Sequence, residues 1–106
     1  MKYYSVAEID VIDQQWVASY AQNVTGMVER RGGRYLARTS HAEKWEGERK
    51  LPQVFLLVEW PSREVAQLFY ESDEYQSYLR DRLAGSHSEM VLLPGEDTAR
   101  VAKIGD

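Results

Sequence analysis

Arg34 and Arg38 lie four positions apart in Arg34-Tyr35-Leu36-Ala37-Arg38-Thr39, a stretch of strand-forming residues. On a regular strand both point to one face, with Leu36 between them. An arginine fork grips a carboxylate or phosphate through two parallel hydrogen bonds, so the pair is suited to clamping a small acid. The plainer reading leaves Arg34 in solvent and pairs Arg38 with a nearby carboxylate. Glu59 follows the apolar run Val54-Phe55-Leu56-Leu57-Val58, where an unpaired carboxylate is costly to bury. A buried carboxyl usually has a raised pKa, which makes Glu59 the best general-base candidate in the chain. Its place near the end of the run also lets water or an arginine satisfy it. His41 is the second catalytic candidate, provided that it meets an arginine and a tyrosine in a pocket. His87 and Glu89 give two potential metal ligands on one face of a strand, which is short of a site, so no metal is expected. Tyr20, Tyr35, Tyr70, Tyr75 and Tyr78, with Trp16, Trp45 and Trp60, can line a pocket that stacks a planar ligand; the same spacing fits a packed core. No P-loop, dinucleotide glycine motif or nucleophile elbow occurs, and no cofactor is expected.

These groups need elements to position them. Tyr3 to Val11 is rich in β-branched and aromatic residues and reads as a first strand. Asp13 is placed as an N-cap, with Ile12 packing on Val17 as a staple. Trp16, Val17, Tyr20, Ala21, Val24, Met27 and Val28 then recur at helical spacing, and Gly32 marks the stop. Arg34 to Thr39 is the second strand, with a continuation expected through Trp45 after an irregularity near Ser40-His41. The polar segment from Glu46 to Pro52 turns the chain, and Gln53 to Trp60 is a third strand at the centre of the sheet. Ser62 caps a second helix whose buried face is Val65, Ala66, Leu68 and Phe69. A short helix follows from Ser72 and ends at Gly85. Met90 to Leu93 forms a fourth strand. Residues 1–95 read as one domain and residues 96–106 as a polar tail.

The composition fits one globular unit: 106 residues, 43% hydrophobic, 28% charged, with no cysteine. Thirteen Lys and Arg against seventeen Asp and Glu give a formal charge of −4, so no broad basic surface for nucleic acid or anionic lipid is expected. No apolar run approaches the roughly 20 residues that span a bilayer, and acidic residues come early in MKYYSVAEID. The expectations are therefore no membrane, no nucleic acid and a cytoplasmic location.

Strand, helix, strand, strand, helix, strand is the order of an α+β, ferredoxin-like βαββαβ fold with a four-stranded antiparallel sheet covered on one face by helices. The third strand places Val54, Leu56 and Val58 on one side and Phe55, Leu57 and Glu59 on the other, both largely apolar. A face left in water usually alternates apolar with polar. The pattern therefore predicts a homodimer through the sheet faces.

Gly32-Gly33-Arg34-Tyr35-Leu36-Ala37-Arg38, Glu46-Gly47, Glu59-Trp60-Pro61-Ser62, Phe69-Tyr70-Glu71-Ser72 with Glu74-Tyr75, and Arg82-Leu83 occur in that order. This succession, from Met1 to Gly95, resembles the small bacterial proteins of the domain of unknown function 1330 family. The resemblance implies a ferredoxin-like subunit of the dimeric α+β barrel superfamily, with two sheets packed face to face. That superfamily spans cofactor-free monooxygenases, small lactone isomerases, haem-binding members and ligand sensors, so fold alone selects no chemistry. Arg82 stands at a family-like position, either to join Arg38 or to run its stem along its helix. Thr39-Ser40-His41 follows Arg38 where the family pattern leads one to expect glycine. The combined expectation is a small dimeric cofactor-free enzyme acting on a carboxylated or phenolic metabolite by proton transfer or oxygenation. Glu59 and His41 are its catalytic candidates, and Arg34, Tyr35, Arg38, Tyr70, Tyr75 and Arg82 are its substrate-binding candidates. A non-catalytic binding or sensing module using the same pocket is the alternative.

Overall fold

The computed structural model describes residues 1–101. The chain forms strand β1 (Tyr3–Val11), helix α1 (Val17–Arg30), strands β2 (Arg34–Thr39) and β3 (Val54–Trp60), helices α2 (Arg63–Glu71) and α3 (Asp73–Ala84), strand β4 (Ser86–Pro94) and a short helix α4 (Thr98–Val101). The strands make one antiparallel sheet in the order β2-β3-β1-β4, the ferredoxin-like arrangement expected. Among the described residues no helix is long and apolar enough to cross a membrane. Residues 102–106 of the expected tail lie outside the described residues.

Local chemistry accounts for most element ends. The Asp13 carboxylate accepts from the Gln15 amide and starts a 3-10 turn (Gln14–Trp16) that leads into α1. Ile12 is exposed and does not staple that entry. At the other end Gly32 adopts φ 89°, the left-handed region, and the amides of Gly32 and Gly33 close on the carbonyls of Glu29 and Val28. Ser62 caps α2 by accepting from the Val65 amide. Ser72 starts α3 without such a bond; its hydroxyl donates to the Phe69 carbonyl at 2.7 Å instead.

The core lies between the sheet and the helices, where Val24, Met27 and Val28 of α1 and Ala66 and Phe69 of α2 pack with Tyr75 and Leu79 of α3 on Val58 and Trp60. Ala7, Ile9 and Leu56 share that sheet face with Val58 and Trp60, because directly paired antiparallel residues project to the same side. The other face carries Val6, Phe55, Leu57, Val91 and Leu93 and has no helix on it. Leu68, expected in the buried face of α2, is exposed.

Three expectations about the strands also change. β2 ends at Thr39 instead of running to Trp45: residues 41–50 are exposed, and the chain rejoins the sheet only where Gln53 brackets the end of β1. There the Gln53 side chain accepts from the Val11 amide at 2.7 Å, and its own amide donates to the Asp10 carboxylate at 2.9 Å. β4 starts at Ser86, earlier than Met90, because it pairs with β1 as far as Val11. Finally, the register of β2 shifts between Tyr35 and Ala37, so Leu36 is an extra residue. Arg34 opposes Glu59 and Arg38 opposes Leu56, three positions apart on β3, which puts the two arginines on opposite faces of the sheet.

Candidate functional site

The helix-covered face encloses a cavity of about 370 Å³, within the size range of small-molecule sites. Its floor includes Ala7, Ile9, Leu56 and Val58, and its walls include Tyr20, Trp60, Phe69 and Tyr75. Arg63, Gln67 and Tyr70 of α2 and Met90 and Leu92 of β4 are exposed lining residues and form its rim.

Arg82 is the polar centre of this cavity. It sits in the last turn of α3, only 2% exposed. Nε donates to the Tyr20 hydroxyl at 3.2 Å and Nη2 to the Tyr75 hydroxyl at 3.4 Å, while the two hydroxyls meet at 2.6 Å. The Ser86 hydroxyl donates to the Arg82 carbonyl, which ties this helix turn to the start of β4. Aromatic packing holds the phenols in place. Phe69 lies 4.4 Å from Tyr75, Trp60 lies 5.3 Å from Phe69, and Trp16 meets Tyr20 edge-on at 5.4 Å.

Among the described residues no carboxylate lies within ion-pair distance of Arg82. A guanidinium has five donors, and the two phenols take only two of them. Each of its nitrogens is either hydrogen-bonded or not fully sealed, and the residue lines the cavity. Burial pulls the Arg82 pKa down, and the Tyr20 and Tyr75 oxygens more than offset this, so the group stays charged. Burial, then the neighbouring Tyr75, pushes the Tyr20 hydroxyl well above its ordinary value, against the pull of Arg82. The cavity therefore presents one cation beside the Tyr20 and Tyr75 hydroxyls, and Tyr20 keeps its proton at neutral pH. That set can hold an oxyanion by charge and donate hydrogen bonds to it.

The substrate-binding candidates divide. Tyr35, Tyr70, Tyr75 and Arg82 line the cavity. Arg38 does not: it is exposed, donates to the Thr25 hydroxyl at 2.7 Å and lies 4.2 Å above the Tyr35 ring. Burial raises the Tyr35 hydroxyl pKa, partly countered by Arg38. Arg34 is exposed on the open face beside Glu59. Glu59 lies on that same face, accepting from the Tyr4 hydroxyl at 3.3 Å and facing Lys2 at 3.6 Å. His41 is exposed in the loop after β2 and lines no cavity described here. The two acid/base candidates and the cavity are thus separated by the sheet and the loop, and Arg38 does not meet Glu59. Tyr20 was legible only as one aromatic among several; its α1 spacing marked it as buried, with nothing local to pair it with Arg82.

A four-stranded antiparallel sheet, three helices on one face and a charged cavity between them define a ferredoxin-like α+β fold. The chain belongs to the family described as domain of unknown function (DUF1330), which it matches over residues 2–96. Among solved structures it is similar to RPA0582 from Rhodopseudomonas palustris, a protein of unknown function: 15% identity, TM-score 0.75, covering 91% of this chain and 84% of that one. It is also similar to SnoaB, a cofactor-independent oxygenase from Streptomyces nogalater, at 15% identity and TM-score 0.65 over 93% of this chain and 97% of that one. A putative antibiotic biosynthesis monooxygenase from Nitrosomonas europaea shares 17% identity and TM-score 0.53, with 89% of each chain covered. At these identities the likeness is one of fold. No curated protein matches the sequence.

Proposed function

We propose that the protein is a cofactor-free enzyme that binds a small carboxylated or phenolic metabolite as its anion in the core cavity, with Arg82 as counter-ion. One observation carries this reading: a buried guanidinium, without a carboxylate partner among the described residues, that lines a cavity of about 370 Å³. A buried charge is costly unless something pairs it, and an anionic ligand does so. One of the Tyr20 and Tyr75 hydroxyls donates to the other, and the remaining O–H donates to the ligand oxyanion. Charge stabilisation of that kind lowers the pKa of a phenol or enol, whose proton is released to solvent water as it binds, and the bound anion is the species that proton transfer or oxygenation starts from. The fold it shares with SnoaB, a cofactor-independent oxygenase, is compatible with such chemistry.

The alternative is a non-catalytic binding or sensing module. It is favoured by one feature: Glu59 and His41 stand outside the cavity, so neither is placed to take a proton from a ligand held there. The working unit in both readings is a homodimer closed through the open sheet faces, which removes Phe55, Leu57, Val91 and Leu93 from water.

A thermal-shift screen of carboxylated and phenolic metabolites tests the site. A ligand at about 100 times its Kd stabilises by about 2.7 kcal/mol, a shift of several degrees in Tm. The shift is expected in the native protein and is lost in Arg82→Met; its persistence there would place the ligand elsewhere. Oxygen consumption and product analysis with each hit then separate turnover from binding.

A further inference from the structure

A second cavity, of about 200 Å³, lies under α1. Its walls are Val11, Trp16, Val17, Ala21 and Val54, together with Ile9, Tyr20, Val24, Tyr35 and Leu56, which also line the larger cavity. These five shared residues stand between the two cavities. They differ in stiffness. Val24 is fully buried and β-branched, whereas Leu56, Tyr20 and Tyr35 are only partly buried and have further rotamers. Arg38 and Thr25, joined by their hydrogen bond, also line the second cavity, and Arg38 covers the Tyr35 ring.

The two spaces differ in chemistry. The larger holds the buried cation and its phenols at its wall, and the smaller is almost wholly apolar inside Arg38 and Thr25. The smaller space is a groove that reaches the surface at Ala21 and Arg38, so its apolar lining stays in contact with water when nothing fills it. We propose that the two cavities are head and tail compartments of one site, which takes an elongated amphiphilic monoanion. Its oxyanion pairs with Arg82, and its apolar tail passes Leu56 and Tyr35 to end under α1 near Trp16. This inference rests on the reading of the larger cavity as the ligand site, and it names the ligand's shape and polarity.

The test is a series of straight-chain alkanoates from butanoate to dodecanoate, titrated calorimetrically against the native chain and two variants. Ala21 and Val54 line the smaller cavity only, so Ala21→Phe and Val54→Phe fill the tail compartment and leave the head compartment intact. In the native chain each methylene that enters the tail compartment should tighten binding roughly fourfold, the factor corresponding to burial of one such group. In both variants the gain should stop at the shorter acids, with butanoate affinity unchanged and the native Tm retained or raised. Binding that levels off in the native chain at the length that fills the first cavity overturns the two-compartment site and leaves the ligand site standing. A length gain that survives in both folded variants overturns it equally. If no alkanoate binds at any length and the phenolic metabolites also fail, the ligand-site reading falls, and this inference with it.

Discussion

The hydroxyls of Tyr20 and Tyr75 meet at 2.6 Å, although α1 and α3 bring them from 55 positions apart in the chain. Arg82 bonds both oxygens, so the three side chains form one polar cluster at the wall of an apolar cavity. The bond between the two tyrosines does not itself use the guanidinium. This makes the arginine separable from the packing around it.

Arg82→Met should therefore leave the free protein within about 1 kcal/mol of the native stability, or above it. Replacing a buried charge by an apolar group of similar volume is often neutral or favourable. The same change should weaken binding of an anionic ligand by about 2–5 kcal/mol. Urea denaturation and ligand titration on one preparation separate the two effects. A large loss of stability with binding intact would make Arg82 a purely structural residue.

Alkaline pH should unfold the protein through its buried phenols. The Tyr20 hydroxyl is pushed above its ordinary 10.0 chiefly by burial, so in the folded state it keeps its proton after the unfolded chain has lost it. The unfolded state then binds fewer protons, and stability falls as pH rises. The contribution is intact below pH 10 and is lost as pH climbs through the folded-state value. Tm measured at increasing pH above this point should drop more steeply in the native protein than in Tyr20→Phe. Parallel slopes would remove Tyr20 as the cause.

Leu57→Asp places a carboxylate in the centre of the open sheet face. If that face is covered by a second copy, an unpaired charge there costs on the order of 3–5 kcal/mol. Sedimentation at micromolar concentration should show a dimer for the native chain and a monomer or unfolded chain for the variant. A monomeric native protein ends the dimer reading.

Glu59→Gln and His41→Ala should leave ligand affinity in the cavity unchanged within about 0.5 kcal/mol, because neither side chain lines it. Turnover assays with any ligand found by the screen give the sharper answer. Abolished turnover with intact binding and stability would restore these residues as the acid/base pair, and place the reacting group on the open face.

Much of the fold was legible along the chain because its signals are local. Asp13, Gly32 and Ser62 punctuate helices through their own side-chain or backbone chemistry, and the alternation in Val54 to Trp60 shows a strand with two apolar faces. The order of these elements implies the ferredoxin-like topology, and the family resemblance agrees with it. Tertiary structure decided what depends on partners distant in sequence. The extra residue at Leu36 exists only as a mismatch between β2 and β3, and it sends Arg34 and Arg38 to opposite faces although their spacing predicts one. β4 extends to Ser86 because β1 offers it a ladder that far. Glu59 finds Tyr4 and Lys2, and Arg82 finds two phenols from two helices. Residue type and spacing report what a side chain can do, while the packing of helices against the sheet determines which polar groups share a cavity and which remain outside it.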